Sequence, residues 1–187
     1  MIELGRHFDG TGVQPEGTSG DYGFNVWRNT FPAEELPPAG SVREVAGVTF
    51  AFPAPNADGA DNVRCRGQLV AVPEGRYDWL YLLGAAERRT EDEVELHHAG
   101  GTVRRSWLRM SDFWPETPAR FGEPLAFCTT GLRYPRHTQA GHSPSIWQQR
   151  VAIAEPDPLV AVRLPDNPAM HVFALTAVAD EESRCAR

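Results

Sequence analysis

The sequence predicts an all-β chain, an antiparallel β-sandwich of the jelly-roll kind, and three observations carry that expectation. Val48, Phe50 and Phe52 alternate with Thr49 and Ala51, the period-two pattern of a strand with one face on a core. The 187 residues include 17 Gly and 16 Pro, which break the chain into many short runs. No segment carries a convincing helical pattern. Eight or more short strands separated by turns at this spacing indicate a sandwich or jelly roll.

Taken in order, residues 9–23 are loop chemistry throughout, and Phe24–Trp27 reads as a short edge strand. The strand around Val48–Phe52 is stopped by Pro53 and Pro55, since proline cannot donate to a ladder. Asn56–Asn62 is a polar loop of residues that tolerate left-handed turn conformations. Leu69–Val72 supplies the next strand. Tyr77–Ala86 is the most continuous apolar run, and its length and aromatic content favour a strand buried on both faces. Glu93–His98, the turn Ala99-Gly100-Gly101 and Thr102–Met110 form a hairpin. Val103, Arg105, Trp107 and Arg109 share one face of its return strand. Residues 111–122 are irregular, broken by Pro115, Pro118 and Gly122. Leu125–Thr129 is a strand, Arg133–Ser145 a long polar loop, and Ile146–Ile153, Leu159–Leu164 and His171–Val178 are the last strands. Residues 1–180 are thus expected to form one domain, with 181–187 a polar tail.

Composition narrows the function classes. The net charge is -7 and every one of the 18 basic residues is arginine. An acidic chain without clustered cations disfavours nucleic acid and anionic membrane as partners. No run approaches the roughly 20 apolar residues of a membrane helix. The N-terminus shows no basic region followed by an apolar run, so a cytoplasmic location is expected, or an extracellular one if this is a mature chain. Cys65, Cys128 and Cys185 are odd in number and lack zinc spacing, which fits reduced thiols. Self-association is compatible with the sequence.

Three loop segments combine flat aromatic faces with hydrogen-bonding side chains, the chemistry that recognises a sugar's C–H face and its hydroxyls. Asn25, Trp27 and Arg28 stand in the first, Asp112 and Trp114 in the second, and Arg133, Tyr134, Arg136, His137 and His142 in the third. Trp79, Trp107 and Trp147 lie on strands and are expected to pack in or against the core. His137 and His142 do not have diagnostic metal spacing, and the His-x-His pattern of a metal-binding cupin is absent. No Gly-x-Ser-x-Gly elbow, P-loop or dinucleotide fingerprint occurs, so no organic cofactor is expected. If the chain is an enzyme, the inventory permits general acid–base work by His137, His142, Asp112 or Glu34.

Short blocks across most of the chain add a resemblance. They are Phe31-Pro32-Ala33-Glu34, Ala46–Pro53, Asp61-Asn62-Val63, Gly67-Gln68, Leu80–Ala86, Tyr134–His137, Ile146-Trp147 and Leu164–Thr176. Together they resemble the galactose-binding-like β-sandwich domain attached to some bacterial glycoside hydrolases. The resemblance implies a carbohydrate- or glycoside-binding module without catalytic machinery of its own, and a structural calcium. Asp9 and Asp21, flanking the N-terminal glycine-rich loop, are the candidates to hold that ion through hard oxygen ligands. The alternative is a small stand-alone intracellular enzyme of lyase, isomerase or cyclase type acting on a glycosylated or specialised metabolite. A protein–protein scaffold is a third reading, and it predicts a contiguous apolar surface patch.

Overall fold

The computed structural model describes residues 1–18, 20, 22–114 and 118–179; the expected tail, Asp21 and Cys185 lie outside the described residues. The chain is an all-β sandwich with no α-helix among those residues; two single 3-10 turns, Gly5–His7 and Ala33–Glu35, are its helical elements there. Among the described residues, no helix is long and apolar enough to cross a membrane.

The strands are β1 (Val13–Gln14), β2 (Phe31–Pro32), β3 (Val42–Val45), β4 (Val48–Ala51), β5 (Val63–Arg64), β6 (Leu69–Gly75), β7 (Trp79–Ala86), β8 (Thr90–His98), β9 (Val103–Met110), β10 (Leu125–Cys128), β11 (Gly131–Arg133), β12 (Thr138–Ala140), β13 (Ser145–Ala152), β14 (Leu159–Arg163) and β15 (Met170–Val178). The larger of the two main sheets has the order β10-β13-β7-β15-β5 and the smaller β6-β14-β8-β9; β1–β2, β3–β4 and β11–β12 form two-stranded sheets beside them. All pairings within the two main sheets are antiparallel.

The apolar run read as doubly buried is β7, the middle strand of the five-stranded sheet. Its alternation explains the layering. Leu80, Leu82 and Ala86 point into the space between the two sheets, where they meet Val94, Leu96, Leu108, Val162 and Val172. Leu83 and Ala85 point to the opposite face, where the β3–β4 hairpin, Phe24, Phe31, Phe113 and Leu132 cover them. A bulge between Val172 and Ala174 in β15 directs Phe173 and Ala174 together toward this second cluster. From Leu82 to Ala86 both faces of β7 are therefore buried.

Several expectations need correction. Phe24–Trp27 is a turn, not an edge strand: Asn25 Oδ1 accepts from the Trp27 amide (3.1 Å) and the Arg28 amide bonds the Asn25 carbonyl (2.8 Å). The loop 133–145 contains part of a small hairpin, β11–β12, whose second strand, Thr138–Ala140, carries no apolar alternation to announce it. Trp107 stands 57% exposed on an edge strand instead of packing in or against the core, whereas Trp147 is buried.

Candidate functional site

Three chain segments meet beyond the C-terminal end of β7. The segment after β9 is carried across to β7, where the Phe113 amide donates to the Ala86 carbonyl (2.9 Å). Phe113 is buried and packs against Phe24 (ring centroids 4.7 Å apart), which brings the 23–29 turn alongside. The third segment is tied by reciprocal backbone bonds between Thr30 and Arg133 (2.8 and 3.0 Å). Together they enclose a pocket of about 360 Å³ lined by Asn25, Trp27, Asn29, Glu87, Arg88, Asp112, Phe113, Trp114 and Tyr134.

Five of the residues singled out in the sequence thus converge: Asn25, Trp27, Asp112, Trp114 and Tyr134. Trp27 is 62% exposed and carries little of the fold. Trp114 is half-buried, with its ring set edge-on to Phe113 at 6.0 Å. His142 lies behind it, 5.9 Å from its ring, and bonds Gln139 through Nε2 (2.7 Å). His137 stacks flat on Tyr134 at 4.7 Å, outside the pocket lining.

Others in that set do different work. Arg28 sits in the left-handed region at φ 59° and donates to the carbonyls of Tyr22 (3.2 Å) and Gly20 (3.1 Å), latching the turn. The Arg133 guanidinium pairs with Glu34 and also reaches the Gln14 carbonyl, joining β11 to the N-terminal segment. That guanidinium holds the Glu34 carboxyl below the usual carboxylate range, so Glu34 is poorly suited to donate a proton. Arg136 is exposed and outside the pocket. Asp9 accepts from the Arg64 amide (2.7 Å) and lies 3.8 Å from Arg66. Among the described residues, no group of three or more His, Cys, Asp or Glu side chains is placed to hold a metal.

Asn29, Glu87 and Arg88 were not singled out in the sequence. Asn29 is buried, and its side chain lies 3.5 Å from the Tyr134 hydroxyl, while its Oδ1 has no hydrogen-bond partner among the described residues. A buried acceptor left unpaired is costly, and in a pocket wall it marks a place where a ligand donor fits. Its position two residues after Trp27 was the available signal.

Glu87 opens onto a buried chain of polar groups. It pairs with Arg64 (2.8 Å) and lies 3.6 Å from His171 Nε2. His171 Nδ1 is 2.8 Å from Asn62 Oδ1, and the Asn62 amide nitrogen donates to Asp61 Oδ1 (2.8 Å). Asp61 fixes the orientation of the Asn62 amide, so the His171 ring donates from Nδ1. Burial lowers the His171 pKa. For Glu87 burial acts upward, but His171 and Arg64 outweigh it and hold the carboxyl low. Burial instead raises Asp112, against the opposing pull of the Trp114 amide and Arg88. The two carboxyls of one pocket are thus shifted in opposite directions from their ordinary values.

Among curated proteins, none matches the chain. A family model for the AziU2-like beta-sandwich domain matches residues 1–181. That span contains both sheets and every residue of the pocket, and it accords with the layered strands described above. The chain belongs to the AziU2-like β-sandwich domain family.

Proposed function

We propose that the pocket between the 23–29 turn, the segment after β9 and the strand β11 binds one sugar unit of a saccharide or glycosylated small molecule. The observation that carries this reading is the joint placement of Trp27, Trp114 and Tyr134 with Asn25, Asn29 and Asp112 around about 360 Å³. Flat indole faces suit the apolar face of a pyranose, and the amides and carboxyl suit its hydroxyls. The unpaired Asn29 Oδ1 supports a hydroxyl donor as the group received there. The sequence resemblance to galactose-binding-like sandwich domains supports the same ligand class.

Calorimetric titration with galactose, glucose and their methyl glycosides tests it. Saturable binding by at least one sugar is expected, and Trp27→Ala should weaken it by about tenfold or more, roughly 1.4 kcal/mol. Because Trp27 is mostly exposed, the variant should keep the wild-type melting temperature. Absence of binding to every sugar at about 10 mM, where even a 1 mM dissociation constant would register, would remove the reading.

A second reading is favoured by one observation, the opposed shifts of Asp112 and Glu87. An acid–base enzyme acting on a bound glycosylated or specialised metabolite would use Glu87 and Asp112 as its pair of carboxyls. A bell-shaped pH–rate profile lost in Asp112→Asn would favour it over binding alone.

A further inference from the structure

A larger depression opens on the side of the sandwich, and it originates in an early strand end. β10 pairs with β13 at Trp147, Ile146 and Ser145 and extends no further toward the C-terminal end of β13. Gln148, Gln149 and Arg150 are bonded to β7 on one side and lack a β10 neighbour on the other. In the place of a longer edge strand stand β9, which runs alongside β13, and the segment 120–124, whose Pro124 carbonyl takes the Gln148 amide (3.0 Å). The resulting groove is about 710 Å³, and its walls include Tyr81, Trp107, Arg109, Arg120, Gln149 and Arg150.

Three features give this groove a chemistry. Trp107 shows 57% of its surface and offers an open indole face. Gln149 is only 6% exposed, yet its Nε2 has no hydrogen-bond partner among the described residues, so a buried donor faces a polar groove unanswered. The third is charge. Arg109 pairs with Glu91 (3.0 Å), and Glu123 turns its carboxylate oxygens to the amides of Ser111 (3.0 Å) and Phe121 (2.8 Å). Arg150 lies over the Trp79 ring (4.7 Å), and among the described residues neither it nor Arg120 has a carboxylate within ion-pair distance. Among the described residues, two guanidiniums without a carboxylate partner stand against one backbone-bound carboxylate, which makes this part of the groove positive on a chain whose net charge is -7.

We propose that this groove is a second binding site, for a small molecule that carries an oxyanion (carboxylate, phosphate ester or sulfate ester) beside a planar ring. Arginine forks match the paired oxygens of such groups, the Gln149 amide supplies a further donor, and Trp107 receives the ring. The site is distinct from the sugar pocket, with which it shares no lining residue. Its ligand requires no change in the reading given to that pocket.

The test is titration of the 15N-labelled chain with phenyl phosphate, phenyl sulfate and benzoate, with benzyl alcohol as the uncharged control. The indole N–H signal of Trp107, assigned by Trp107→Phe, is the readout. Saturable shifts are expected for at least one anion at low salt, about tenfold tighter than for benzyl alcohol, and weakened about tenfold in Arg120→Gln/Arg150→Gln. The three anions distinguish the oxyanion types. Trp27→Ala should leave the titration unchanged. The proposal is overturned if no anion shifts Trp107 by about 10 mM, or if the arginine double variant, folded by its melting temperature, titrates as wild type. Loss of binding in Trp27→Ala alone would assign the anion to the first pocket. A Trp107 signal that moves with protein concentration alone would make this face a contact between copies, and that also overturns it.

Discussion

Asp61 is an acid placed where an acid is costly. It is 1% exposed and accepts from the amides of Gly12 (3.0 Å) and Val13 (2.8 Å) as well as from Asn62. Burial raises its pKa from 3.8 to about 6, and the three hydrogen bonds only partly offset that rise. The folded protein therefore holds this proton more tightly than the unfolded chain does. The associated stability is fully present below about pH 4 and is lost as pH rises through about 6, on the order of 3 kcal/mol in all. His171 works in the opposite sense: its lowered pKa removes stability as pH falls below 6.5. Comparison with Asp61→Asn separates the two, since His171 is common to both proteins. Urea unfolding from pH 4 to pH 7 should show the wild type losing about 3 kcal/mol relative to the variant. A flat difference would mean that the carboxyl binds its proton equally well in the folded and unfolded states. The same residues show what a sequence withholds. Asp61-Asn62 was readable as a polar loop beside a strand, but its role in orienting His171 depends on a partner 109 positions away. Trp27, Trp114 and Tyr134 announced themselves by residue type and neighbours, whereas Glu87 sits in a charged run with Arg88 and Arg89 that carries no such signal. Only its place at the end of β7 makes it part of a pocket.

At the level of elements, the β8–β9 hairpin has two faces that invite opposite estimates of what holds it. Its outer face carries pairs between Glu91 and Arg109 (3.0 Å), Arg105 and Glu93 (3.7 Å), and Arg105 and Glu95 (3.1 Å). Arg105 and Arg109 are more than half exposed, and such pairs are screened by water and salt. Its inner face buries Val94, Leu96, Leu108 and Met110 almost completely. Apolar burial decides the matter, since Leu108→Ala should cost about 2–5 kcal/mol. Arg105→Ala should fall within the scatter of ordinary surface substitutions, and its effect should shrink further in high salt. Urea midpoints check both, and an Arg105 effect equal to that of Leu108 would reverse the assignment. Alternation made this hairpin readable from the chain alone. It also placed Trp107 and Arg109 on one face, yet the expected packing of Trp107 was wrong. The groove exists because β10 stops early, and no local pattern near Trp107 records where another strand ends. For β11 and β12 the failure was compositional: Thr138, Gln139 and Ala140 offer no apolar face to a period-two pattern.

For the whole molecule, the question is whether the two apolar clusters behave as one cooperative unit. They lie on opposite faces of the five-stranded sheet and share its two long neighbouring strands, β7 and β15. Leu82 and Leu83 are consecutive, both fully buried, and belong to different clusters. Neither side can lose its packing without exposing one face of a strand that also supports the other. Leu82→Ala and Leu83→Ala should each lower stability by about 2–5 kcal/mol. Each variant should still unfold in one transition, with far-UV circular dichroism and tryptophan fluorescence superimposed. The pairings of β5 with β15, β6 with β14 and β8 with β14 join parts of the chain far apart in sequence, so refolding should be slow, in the range of milliseconds to seconds. A biphasic transition in Leu83→Ala alone would show that the β3–β4 hairpin and its aromatic partners form a separable layer. The pocket proposed for a sugar draws Phe113 from that layer and Glu87 from the end of β7, so it would then open with the layer while the β9 wall of the side groove stayed in place. A single transition instead requires both sites to be lost together, as the shared central strands demand.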